Sequence, residues 1–243
     1  MRMNDLAQYF RQISGRVSSS IYAGIQGQGN LQHRSFIRQL QKEMKEKNNL
    51  DTPLNELEVV IFDLETTGFY PEKGDRVLSI GAVKMIGQYI EENETFYSLV
   101  KSDLPLSEEI INLTNIHEKH LCEAPEAKEV LIQFFNYAES HILVAHHSKH
   151  EKSFMQKMTW DLLKTRFEHR IIDTSFLIRL SDPAMKSLSL EEVCNNCGIT
   201  IKDRHHALGD AIMTAQIWAS YLNIAQKSGY SNLREVYEHL AKL

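Results

Sequence analysis

Residues 59–68 read Val59-Val60-Ile61-Phe62-Asp63-Leu64-Glu65-Thr66-Thr67-Gly68, and both the fold and the chemistry of the chain turn on them. A short apolar run that ends in turn residues is the pattern of a strand buried on both faces. Side chains alternate along a strand, so Val59, Ile61, Asp63 and Glu65 share one face. An unpaired carboxylate is costly to bury, and two acids on the inner side of a central strand require a reason. One reason is position: the strand ends near Asp63 and both acids reach water. The other is a divalent cation held by the pair. This stretch alone leaves both open.

Moving outward, residues 77–86 and 89–100 are β-prone runs joined by Gly87-Gln88, the pattern of a hairpin. Together with the strand that begins at Val59 they predict three antiparallel strands in chain order. Further strands are expected over 142–145 and around 170–172. Helices are expected over 107–113, capped by Ser107, and over 126–137, 149–163, 188–194, 207–222 and 232–240. A meander followed by strands alternating with helices predicts an α/β fold: a mixed five-stranded sheet flanked by helices.

Upstream, Leu6, Tyr9, Phe10 and Ile13 fall at helical spacing, and so do Phe36, Ile37, Leu40 and Met44. Between them, residues 14–30 are rich in Ser, Gly and Gln and read as a flexible loop. Residues 1–56 carry eight Lys/Arg against five Asp/Glu, while the remainder carries nineteen against twenty-seven. That contrast places a boundary near Asn48–Pro53 and divides the chain into an N-terminal helical and flexible extension, 1–56, and a main domain, 57–243.

Composition narrows the function classes. The net charge of −5 argues against a protein that coats long nucleic acid by charge alone. No uninterrupted apolar run approaches a membrane span, and the first residues lack the apolar core of a secretory signal. Three cysteines give no disulfide framework and fit a reducing cytoplasm. Cys194-Asn195-Asn196-Cys197 has the spacing of half a zinc site, but reads better as a helix end closed by Gly198.

Two more acids lie on apolar helix faces. Glu151 shares a stripe with Phe154, Met155, Met158 and Leu162. Asp210 shares one with Met213, Ile217 and Tyr221, on a helix whose other side (Leu208, Ala211, Ala215, Trp218, Leu222) is apolar as well. The helix dipole favours an acid in a first turn by roughly 0.3–1 kcal/mol, so each taken alone has a structural explanation. Three distant segments each delivering an acid to an inward face point to a common site. His205 and His206 precede Asp210, and a histidine there suits a general base at neutral pH. Hard oxygen ligands suit Mg²⁺ or Mn²⁺, and two such ions clamp the oxygens of a phosphodiester undergoing displacement.

These residues resemble the DEDDh 3′–5′ exonucleases, the family of the proofreading epsilon subunit of bacterial DNA polymerase III. Phe62–Gly68 resembles the first family motif, His205–Ala211 the third, and Val144–Glu151 a degraded second; the similarity spans about 57–225. The resemblance implies a ribonuclease-H-like fold and 3′–5′ hydrolysis that releases 5′-nucleoside monophosphates. It implies Asp63, Glu65, Glu151 and Asp210 as ligands of two Mg²⁺ or Mn²⁺ ions and His205 as the base that deprotonates water. It places Thr66, Thr67 and His147 against the substrate. The implied partners are single-stranded DNA or RNA with a 3′ end and a polymerase or repair protein, with no membrane. Two departures stand out: Glu151 replaces an aspartate with a side chain one methylene longer, and His150 replaces an aromatic. They keep open a catalytically weakened module that binds nucleic acid or a partner.

Overall fold

The computed structural model describes residues 29–46, 50–181, 183 and 188–242. The helix expected at Leu6, Tyr9, Phe10 and Ile13 lies outside the described residues, as does most of the loop expected over 14–30. The last two residues of that loop, Gly29 and Asn30, instead open helix α1 (Gly29–Glu46). The chain divides into two units, one ending at Leu40 and one running from Gln41 onward. In the first, Ile37 and Leu40 are buried, as their helical spacing requires.

The second unit is built on a five-stranded sheet with the order β3-β2-β1-β4-β5. Strand β1 (Glu58–Thr66) pairs antiparallel with β2 (Val77–Ile86), and β2 with β3 (Tyr89–Leu99). Strand β4 (Ile142–Ala145) runs parallel to β1, and β5 (Ile171–Asp173) parallel to β4. The mixed sheet expected from the sequence is the sheet observed. Val59, Val60, Ile61 and Phe62 are all buried, so the central strand is covered on both faces. It does not end at Asp63: pairing with β2 continues through Leu64↔Ile80 and Glu65↔Ser79.

Helices α2 (Glu108–Thr114), α3 (Glu118–Cys122) and α4 (Ala127–Ala138) connect β3 to β4. Ser107 caps α2 through its side chain, accepting from Ile110 N–H. Helix α5 (Lys149–Leu163) follows β4, and α6 (Ser175–Ile178) follows β5. The five-residue α3 and four-residue α6 are too short for apolar periodicity to reveal them. Helix α7 is Leu190–Cys197, two residues later than its expected start, because Ser189 and Glu192 form a reciprocal capping box. It ends at Gly198, which has a left-handed backbone (φ 69°). Helix α8 (Ala207–Lys227) is the central helix, with Trp218, Ile217 and Leu222 fully buried. Its core face packs with Val59, Ile61, Val83 and Val144 of the sheet.

The last helix, α9 (Leu233–Leu240), binds the segment that leads into β1. Leu54 N–H donates to Ser231 O, Pro53 bridges to Asn232, and Asp51 and Arg234 form a two-pronged ion pair. Leu54 and Leu57 are each 1% exposed, a burial that contributes roughly 1.5–3 kcal/mol per side chain.

Candidate active site

Parallel pairing sets the carboxyl ends of β1, β4 and β5 side by side, the usual location of a site in such sheets. Asp63 and Glu65 project there from β1. Opposite Asp63 in register stands Gly81 of β2, and opposite Gly81 stands Tyr97 of β3. A β-carbon at Gly81 would lie less than 3.0 Å from Leu208 N and Ala207 C. Only glycine therefore lets the first turn of α8 rest on the sheet. That contact brings Asp210, in the first turn, over the acids of β1.

The result is a cluster in which Asp63, Glu65 and Asp210 each offer a carboxylate oxygen within 4.8 Å of the others. It is the one group of His, Cys, Asp or Glu side chains among the described residues placed so that it could hold a metal ion. Glu65 and Asp210 are buried and Asp63 is half-buried. Burial pushes Glu65 up to about 8, and the neighbouring Asp210 pushes the same way. Burial also raises Asp63 well above the carboxylate range, helped by Glu151, Glu65 and Asp210. Asp210 rises to about 6, burial outweighing the pull of Arg204 and the His205 N–H. A set of acids that resists ionising together is one that a cation would relieve. Asp210 Oδ1 is buried with no hydrogen-bond partner, so the donors present fit a hard divalent ion.

Glu151 faces inward on α5, 4% exposed, as its stripe predicts. It nevertheless stands outside the 4.8 Å group. Among the acids near Asp63, Glu151 acts on it most strongly, and its Oε2 is buried and unpartnered. Burial pushes it up to about 8, with Asp173 and Glu65 adding to the shift. Asp173, at the end of β5, holds the turn before Glu151: its two oxygens accept from Ser148 N–H (2.6 Å) and Ser175 N–H (2.9 Å).

Of the two histidines, His206 caps α8, accepting from Gly209 N–H through Nδ1, and stacks on Tyr97 with centroids 4.4 Å apart. His205 has a left-handed backbone (φ 60°), as do Asp203 and His147. Such residues persist where surrounding contacts impose them. Burial holds the His205 imidazole below its ordinary range, and Arg204 adds to this, so the ring is neutral at neutral pH. Arg204 can only donate, so its Nη1 contact to His205 Nδ1 (3.3 Å) places the ring proton on Nε2.

The loop after β1 is a hydrogen-bonded turn. Thr66 Oγ1 donates to Gly68 O (2.7 Å), and Thr67 Oγ1 accepts from Arg76 N–H and donates to Asp75. Both hydroxyls shape the loop. The loop presents Phe69 and Tyr70 to solvent, 78% and 58% exposed. His150 packs as an aromatic would, lying against Phe69 and Phe154 with its Nε2 3.3 Å from Thr66 Oγ1. His147 is exposed. His146 is structural, bridging Thr174 Oγ1 (2.7 Å) and Leu188 O (2.9 Å). Cys194 and Cys197 are free thiols outside that acidic cluster, on the helix end closed by Gly198.

Sequence reasoning missed Arg204, which precedes the motif by one residue and reaches Asp210 through a side chain whose direction periodicity does not encode. It also missed Glu191, the other partner of Arg204.

Residues 60–218 match the RNase T family model, described as Exonuclease. The chain belongs to this exonuclease family. Consistently, it is 34% identical over 163 residues to a DNA polymerase III subunit epsilon of Aquifex aeolicus, covering 67% of this chain and 79% of that one. It is 31% identical over 194 residues to a DNA polymerase III subunit epsilon-like protein of Rhodobacter capsulatus, covering 79% of this chain. The exonuclease chain spans 27% of the length of that relative. Among solved structures it is similar to a 3′-exonuclease described for 3′-end specific recognition of histone mRNA stem-loop. That likeness has a TM-score of 0.62 at 19% identity and covers 77% and 71% of the two chains; it establishes the shared exonuclease fold. Among the described residues no helix is long and apolar enough to cross a membrane.

Proposed function

We propose that this exonuclease degrades single-stranded DNA or RNA from the 3′ end, releasing 5′-nucleoside monophosphates, and that it uses two Mg²⁺ or Mn²⁺ ions. The observation that carries the reading is the convergence of Asp63, Glu65 and Asp210 within 4.8 Å, with buried oxygens of Asp210 and Glu151 lacking any partner. These four acids would hold the ions. When bound, such ions supply positive charge to the attacking and leaving oxygens. His205 takes the proton of the attacking water through Nδ1. The loop built by Thr66 and Thr67, together with His147, cradles the terminal nucleotide. The main domain is residues 57–243, the compartment the cytoplasm, and a polymerase or repair protein the partner that the epsilon-like relatives suggest.

The test is degradation of 5′-labelled single-stranded DNA and RNA with Mg²⁺ or Mn²⁺. A ladder that shortens from the 3′ end is expected, with Asp63→Asn lowering the rate by about 100-fold or more. Shortening from the 5′ end, or an active Asp63→Asn, refutes the reading. The position of Glu151 outside the trio supports a second reading, a weakened nuclease retained for binding. Cleavage that appears only in Glu151→Asp would select it.

A further inference from the structure

The guanidinium of Arg204 joins three groups of the site. Its Nε donates to Glu191 Oε1 at 2.6 Å, and Nη1 ion-pairs with Asp210 Oδ2 and reaches His205 Nδ1. The same Asp210 oxygen also accepts the His205 backbone N–H at 3.3 Å. The other oxygen of Asp210, Oδ1, is buried and has no partner. Asp210 therefore divides its two oxygens, one tied to Arg204 and His205 and one left open. Glu191 lies in the first turn of α7 and Asp210 in the first turn of α8, so one side chain ties two helix starts together.

We propose that Arg204, anchored by Glu191, is a positioning residue that fixes the rotation of Asp210 so that Oδ1 faces a divalent ion. The inference rests on the metal-dependent reading above. Its physical basis is that a carboxylate ligand is oriented by what holds its second oxygen, and loss of such partners typically weakens metal affinity about 10–100-fold. A guanidinium suits this work because its fork reaches Glu191 and Asp210 at once, which the single point of a lysine ammonium cannot do. The opposite sign is also physically available: a fixed positive charge repels an incoming divalent ion. Orientation and repulsion thus predict opposite effects of removing Arg204, and one measurement separates them.

The experiment is calorimetric titration of Mn²⁺ into the metal-free full chain without nucleic acid, for wild type, Arg204→Gln, Arg204→Lys and Glu191→Gln, with thermal unfolding of each. Arg204→Gln is expected to raise the Mn²⁺ Kd about 10–100-fold, with Arg204→Lys between it and wild type. Glu191→Gln, which leaves the guanidinium in place and frees its anchor, is expected to move the Kd the same way by less; it carries the test if Arg204→Gln fails to fold. An unchanged Kd with a lowered Tm makes Arg204 merely structural and overturns the proposal. Tighter Mn²⁺ binding makes it a competitor of the ion and also overturns it. Wild type that binds no Mn²⁺ fails the metal-dependent reading itself, a result distinct from either.

Discussion

Single side chains at this site differ in what burial costs them. Glu65 sits 8% exposed beside Asp210 with its carboxyl raised to about 8, so burial and a like charge disfavour its ionised form and the carboxyl ionises only as the pH reaches about 8. Glu65→Gln is expected to stabilise the metal-free chain by about 0.5–2 kcal/mol in urea unfolding at pH 8 while abolishing cleavage. Loss of stability would mean the carboxylate makes a contact that a carboxamide cannot. Asp173 is the opposite case. Burial alone would raise its carboxyl, yet hydrogen bonds from Ser175 and Ser148 hold it below the ordinary range. Asp173→Asn leaves one of those backbone N–H groups facing an amide NH₂. The expected cost is about 1–3 kcal/mol in urea unfolding, and a neutral result would show that water replaces the lost acceptor.

Between elements, the decisive contact is the start of α8 against β2. Gly81 supplies the space, and Asp210 and His206 inherit their positions from it. Gly81→Ala forces helix and sheet apart, with an expected loss of about 1–3 kcal/mol from overpacking. It should also weaken Mn²⁺ binding, because the helix that carries Asp210 moves relative to the strand that carries Asp63 and Glu65. Calorimetry and urea unfolding on the same preparation check both effects. A stability loss with unchanged Mn²⁺ affinity would separate the contact from the site.

Across the whole molecule, the acids are expected to make stability depend on pH and, through the proposed metal site, on cations. Glu65 and Glu151 have folded values of about 8 against an ordinary 4.5. Between those limits the folded chain holds protons that the unfolded chain has released, so stability falls as pH rises. The contribution is fully present below about 4.5 and is lost through about 8. In chelator, Tm is expected to drop across that window. Mn²⁺ at pH 8 should restore it, because an ion that binds only the folded state stabilises it. A flat profile in chelator would show that other groups compensate for the acids.

The sequence by itself determined the sheet, the central helix and the acids. Alternation and helical spacing are local consequences of backbone geometry, and they place Asp63, Glu65, Glu151 and Asp210 on inward faces without knowledge of what those faces meet. Family motifs then named the chemistry. Only the tertiary structure decided which acids share one site and which stands off: Asp63, Glu65 and Asp210 converge through a glycine contact between elements more than a hundred residues apart in the chain, and Glu151 does not join them. It also showed that the Thr66 and Thr67 hydroxyls build their own loop and that Arg204 occupies one oxygen of Asp210. The physical reason is that spacing specifies the face from which a side chain leaves, whereas its hydrogen-bond partners are set by packing between distant segments.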